Sequence, residues 1–230
     1  MKPASPSAFS LFSLAASLVA SLACSSLPDF AAPKSASVRS GEPAGNAIAY
    51  RSLERADFQR TTPPGQIKHG QYELGALTCG SLSTSPDTQM QIETITAPGG
   101  ASRYRGRYKI LRFRASMDRQ CSWWNPKNRE PEYTLQHEQI HFALYEIEAR
   151  RMNERVPRVL EETVFEDRDR ERLVARLNAV LQRMLDEHVE RSLERNTDFD
   201  EETSLGHDPE RQAKWWQTVQ RELAETAAFK

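Results

Sequence analysis

PEYTLQHEQIHFALYEIEARRMNE, residues 131–154, decides how this chain is read. The stretch opens on a proline and runs without glycine, and the pattern around it predicts a helix over about 131–154, stopped or kinked by Pro157. Inside it stands His137-Glu-Gln-Ile-His141. Residues four apart on a helix share a face, so His137 and His141 can offer two imidazole nitrogens to one metal ion, with Zn²⁺ the default. Glu138 lies about 100° around the helix from His137. It cannot easily join the same tetrahedron, but it can reach a water held there and act as general base.

The flanks strengthen this reading. From Tyr133 to Tyr145 the only charged residue is Glu138, in a chain that is 27% charged. A hydrolytic site gains from such a gap, because it stays dry and leaves the glutamate uncompensated.

Outward from the helix, the remaining chain reads as strands before it and helices after it. Arg103 to Ile110 alternates cations with apolar or small residues, the period of a half-buried strand. At Leu111 the phase flips, which predicts a bulge near 110–111. Met90–Ile95 is a second strand candidate and Gln71–Thr78 a weaker third. Arg103, Arg105, Arg107 and Lys109 form one basic strand face, either solvated or, on an edge strand, able to align an extended peptide. Trp123 and Trp124 fit core packing better than a cleft wall. Helices are expected over about 167–195 and from Asp208-Pro209, an N-cap followed by proline at the first helical position. Strands first and helices after give an α+β domain.

Composition narrows the function. Hydrophobic residues at 38% supply a core, and a net charge of -1 argues against nucleic acid as the main partner. Residues 1–23 place Lys2 before an apolar run from Phe9, which is the form of a signal peptide. Ser21-Leu22-Ala23-Cys24 suits lipoprotein processing, with Cys24 lipidated and tethered to a membrane, the alternative being ordinary secretion with cleavage nearby. Residues 24–46, rich in Ser, Ala, Pro and Gly, read as a flexible linker, leaving 47–230 as the folded domain. Export would put Cys79 and Cys121 in an oxidising compartment, where a bridge between them is expected.

Three stretches resemble a known family. Leu53-Glu-Arg-Ala-Asp57-Phe58-Gln59 with Pro63-Pro64 is similar to an early Trp-x-Asp-Phe-x-Gly and diproline pattern. Cys121-Ser122-Trp123, Leu135-Gln-His137-Glu138-Gln139-Ile-His141-Phe142 and Ala149-Arg150 resemble a Ser-Trp and His-Glu-Gln-x-His-Phe core. Phe199-Asp200-Glu-Glu-Thr203-Ser-Leu205-Gly206 with Gln212 and Trp215 resembles a Tyr-Asp-x-x-Thr-x-His-Gly tail followed by Gln-x-x-Trp. These patterns are those of the bacterial domain-of-unknown-function family 922, exported proteins regarded as zinc-dependent proteases. Leu205 stands where that family usually has histidine, and Arg55 and Arg60 replace its early tryptophan and glycine. The resemblance implies zinc and hydrolysis without naming a substrate.

A catalytic zinc needs a third protein ligand. The candidates are His207, which follows the turn-permitting Gly206, then Asp200, then Glu161 or Glu162. Glu148 is too far along the helix to ligate and is expected to pair with an arginine. His69 and His188 read as surface or core histidines. The expectation is a single α+β, zincin-like domain acting as a zinc-dependent peptidase of the cell envelope or periplasm. His137, His141 and His207 hold Zn²⁺, Glu138 is the base, and the partner is a protein or peptide substrate. The alternatives are a non-catalytic metal-binding scaffold and a cell-wall amidase using the same chemistry.

Overall fold

A computed structural model describes residues 46–65, 68–69 and 72–230. The expected leader, Cys24 and the linker up to residue 45 lie outside the described residues.

Among the described residues, ten strands and three α-helices follow one another: β1 (Ala47–Ala49), β2 (Lys68–His69), β3 (Tyr72–Glu73), β4 (Ala76–Leu77), β5 (Gly80–Thr84), β6 (Gln89–Thr96), β7 (Ser102–Ile110), β8 (Phe113–Asp118), β9 (Trp123–Trp124), α1 (Pro131–Glu162), β10 (Val164–Asp167), α2 (Arg170–Glu202) and α3 (Pro209–Glu225). The class is mixed α+β in a single domain, as expected. The strands form two three-stranded antiparallel sheets, ordered β1-β8-β5 and β10-β7-β6, with two-stranded pairs β2-β3 and β4-β9.

The expected bulge is present one or two residues early, at Lys109, and the phase flip after Ile110 is completed by a change of sheet. The chain leaves one sheet at Ile110 and enters the other at Phe113, so the side that was buried changes. Leu111, Phe113, Ala115 and Met117 then face the core. The bulge lies on β7 itself: Gln89 pairs with Ile110 and Met90 with Tyr108, which leaves Lys109 as the extra residue. The basic face of β7 alternates as read, but β7 is the central strand, so it cannot take up a peptide at its edge. Its Arg105 is paired instead with Glu166 across β10, at 2.8 Å. The β10 strand has no sequence signal, because Val-Phe-Glu-Asp shows no apolar–polar alternation, although its exposure alternates along the strand.

Helix α1 runs through Pro157 to Glu162 rather than stopping. Proline removes one backbone donor there, but its ring points to solvent while Val156, Val159 and Leu160 pack into the core. That burial outweighs the local penalty. From Ile140 to Met152 nearly every α1 side chain is buried, as expected for a helix covered on all sides. Phe142, Ala149 and Met152 face the sheets, while Ile140, Ala143, Leu144 and Ile147 meet Phe199 of α2 and Val219 of α3. Tyr145 packs so close to β5 that a Cβ at Gly80 would lie 2.3 Å from its ring, so residue 80 must be glycine. Trp123 and Trp124 are buried, Trp124 edge-on to Phe58 at 5.3 Å.

Cys79 and Cys121 form a disulfide, with Cα atoms 5.8 Å apart. It ties the chain before β5 to the loop before β9. Glu148 is fully buried and pairs with Arg151 at 2.5 Å and His188 at 2.7 Å, with Arg191 and Arg195 within 4.0 Å. His188 is thus a core histidine with a carboxylate partner. No helix among the described residues is long and apolar enough to cross a membrane.

Candidate metal centre

Helix α1 delivers His137 and His141 one turn apart, and α2 crosses it so that Asp200 meets both. His137 Nε2 and His141 Nε2 are 3.1 Å apart, and Asp200 Oδ1 lies 3.1 Å from the first and 3.2 Å from the second. Each of the three offers one ligand atom, all within 4.8 Å of one another. Two imidazoles and one carboxylate make a donor set that suits Zn²⁺.

The outer nitrogens are held as well. His137 Nδ1 donates to Gln212 Oε1 at 3.1 Å. Gln212 is fully buried, and its Nε2 donates to the Tyr133 carbonyl and to Gln136 Oε1, which fixes the amide so that its oxygen faces the imidazole. His141 Nδ1 donates to Asn196 Oδ1 at 2.6 Å, and Asn196 Nδ2 is anchored on the Ser192 carbonyl. The network therefore assigns the proton to Nδ1 on each ring and turns both Nε2 atoms toward Asp200. The Phe199 ring stacks on His137 with centroids 4.4 Å apart and meets His141 edge-on at 4.9 Å. Asn196, Phe199, Asp200 and Thr203 share one face of α2 at positions i, i+3, i+4 and i+7.

Charge is concentrated here. Burial lowers the His141 pKa, but the charge and hydrogen bond of Asp200 outweigh it, with Glu138 and Asn196 adding to them, and push it up to about 9. Burial raises the Asp200 pKa, yet the two histidines more than reverse that and hold its carboxyl far below the usual range.

Glu138 is 2% exposed, and its Oε2 has no hydrogen-bond partner among the described residues. With His137 it lines a cleft of about 420 Å³. The opposite walls are Leu74–Ala76 and the loop from Asn125 to Glu130, closed at one end by Leu205, Gly206 and His207. Ser204, Leu205 and Gly206 all have left-handed backbones, with φ of 51°, 57° and 79°. The turn presses on the site: a Cβ at residue 206 would lie 3.0 Å from His137 Nδ1.

The structure thus brings together His137, His141 and Asp200, with Glu138 beside them. His207, the leading sequence candidate for third ligand, stands exposed in the cleft wall and is not a member of the cluster. A strand-like path through Leu205 would have aimed it inward, but the left-handed turn does not. Glu161 and Glu162 are exposed near the far end of α1, about 30 Å along the axis from His141. Gln139, inside the motif, accepts from Leu53 N at 2.7 Å and donates to the Arg51 carbonyl, so it pins the early segment to α1. Asn196 and Gln212 were not read as site residues. Comparison with family models, curated proteins and solved structures finds no match to this chain.

Proposed function

We propose that this chain is a zinc-dependent peptidase of the bacterial cell envelope, with a zincin-like domain in which His137, His141 and Asp200 hold the metal and Glu138 is the general base. One observation carries the reading. Glu138 is buried beside the cluster with one carboxylate oxygen unbonded, and the residue itself lines an open cleft. A purely structural metal site has no need of such an oxygen, and burying one is unfavourable. The donor set fits the ion, since both rings carry their protons on the outer nitrogens.

Zn²⁺ bound there would polarise a substrate carbonyl and acidify water. Glu138 Oε2 takes the proton of the attacking water and delivers it to the leaving amine. Asp200 balances charge between the two imidazoles, and Gln212 and Asn196 keep the rings from turning. The resemblance to family 922 supports the same chemistry, because the matching residues include the five-residue motif, Asp200 and Gln212. The disulfide fits export, and Cys24 would supply the membrane tether.

The test is Glu138→Gln. Zinc content and melting should stay at wild type, while cleavage of a denatured protein substrate, read as new amino termini, should fall by about 10² to 10⁴. An equally active variant removes the mechanism. A wild type that binds zinc and cleaves nothing favours the metal-binding scaffold.

A further inference from the structure

Six buried side-chain nitrogen or oxygen atoms lack a hydrogen-bond partner among the described residues: Thr78 Oγ1, Arg103 Nε, Arg114 Nε, Asn128 Nδ2, Tyr133 Oη and Glu138 Oε2. Native folds rarely leave such atoms unbonded, so each asks for an explanation. Three of the six belong to residues that line the cleft containing His137: Asn128, Tyr133 and Glu138. Two of these are donors and one is an acceptor.

The Asn128 amide is oriented by a bond elsewhere, and Tyr133 is carried by the helix of the histidines. Asn128 Oδ1 accepts from Glu130 N at 2.9 Å, so the amide nitrogen must face the other way. Its loop is pinned to the link between β3 and β4: Asn125 N donates to the Gly75 carbonyl and Asn125 Nδ2 to the Leu74 carbonyl, each at 3.0 Å. A Cβ at Gly75 would lie 3.3 Å from Asn128 Nδ2, so glycine leaves room for the amide. Tyr133 stands one turn ahead of His137 on the same helix face, and its carbonyl is the anchor of Gln212. Burial, together with the charges of Asp208 and Glu130, raises the Tyr133 pKa, so the hydroxyl keeps its proton.

We propose that the Tyr133 hydroxyl and the Asn128 amide are the donors that hold an extended peptide in this cleft, Tyr133 on the carbonyl under attack and Asn128 on a neighbouring main-chain carbonyl. Tyr133 donates a hydrogen bond throughout and transfers no proton. Charge grows on the first carbonyl oxygen during attack, so its donor works hardest in the transition state. The order follows chain position, since Tyr133 stands one helical turn before His137 and Asn128 lies on the loop before the helix. Leu74, Ala76 and Leu205 supply an apolar surface for an aliphatic side chain. This inference rests on the peptidase reading of the same site.

The experiment uses the zinc-loaded full chain and N-phosphoryl-leucinamide, which has a tetrahedral anion followed by one amide carbonyl. Binding is measured by calorimetry, alongside zinc content and melting. Tyr133→Phe and Asn128→Asp should each weaken binding by roughly 10- to 100-fold with zinc retained. Tyr133→Phe should melt no lower than wild type, because its hydroxyl makes no internal bond. Wild-type affinity in either variant removes that residue from the proposal. A Tyr133→Phe protein that melts several degrees lower, or a zinc-loaded wild type that ignores the probe, overturns it. A wild type that takes up no zinc overturns the metal reading and this inference with it, and the zinc assay separates the two failures.

Discussion

Gln212 Oε1 accepts a hydrogen bond from His137 Nδ1 at 3.1 Å, across 75 residues of sequence. The contact makes α3 part of the metal centre, although no residue of α3 belongs to the ligand cluster. Outer partners of this kind typically account for 10- to 100-fold in metal affinity. Gln212→Ala should therefore weaken zinc binding by about that factor, with all three ligands intact. Asn196→Ala should do the same through His141. Competition against a chelator of known affinity checks both, and unchanged affinity in Gln212→Ala would show that packing alone fixes the ring.

The His141–Asp200 pair gives the chelator-stripped protein a distinct response to pH. The His141 pKa rises from 6.5 to about 9 on folding, so its contribution is complete below about pH 6.5 and disappears as pH rises through 9. Asp200 is shifted down, so its share is present above its unfolded pKa of about 4 and fades only in acid. In chelator the melting midpoint should fall between pH 6.5 and 9, by on the order of 3 kcal/mol of stability. With zinc the trend reverses, because metal binding must displace the His141 proton and so tightens as pH rises. A stripped protein that grows more stable from pH 6.5 to 9 contradicts the pairing.

Much of this centre is written in the sequence, and some of it is not. The spacing of His137, Glu138 and His141 placed them correctly, because a helical repeat relates residues within one element. Asp208 was legible as a helix start, and its Oδ1 does accept from Arg211 N. Asp200 was harder. It lies in Asn196–Glu202, a polar run of weak helix formers that looked like the chain beyond α2. The helix continues through it because Phe199 is buried between the two histidines and Trp215. Extending α2 by two turns would have shown Asn196, Phe199, Asp200 and Thr203 on one face. Gln212 depends on how α3 crosses α1, and no local pattern encodes that. The strand switch at 110–113 was visible only as a change of phase, since pairing partners are set by long-range contacts.

Glu148 supports the same α2-facing side of α1, two turns beyond His141. It is fully buried among Arg151, His188, Arg191 and Arg195. Glu148→Ala should leave the three arginines facing an uncompensated site and destabilise the fold by about 3–5 kcal/mol. Denaturant unfolding measures this. A loss under 1 kcal/mol would mean that the network is screened by solvent.

The Cys79–Cys121 bridge spans 42 residues. In the chain-entropy model a loop of that length is worth about 4 kcal/mol. The Cys79→Ala/Cys121→Ala double variant should unfold at clearly lower denaturant, with zinc affinity retained once folded, because neither cysteine borders the cluster. An unchanged midpoint would show that the bridge adds nothing to stability.

The identity of the third ligand bears most directly on the whole account. Zinc affinity of Asp200→Asn and His207→Ala, measured side by side at one pH, decides it. Asp200→Asn keeps the shape of the side chain and removes its charge, and it should lose affinity by more than about 100-fold, beyond what an outer partner accounts for. His207→Ala should bind zinc as wild type does. The reverse result, with affinity lost in His207→Ala and kept in Asp200→Asn, would contradict a centre built on His137, His141 and Asp200.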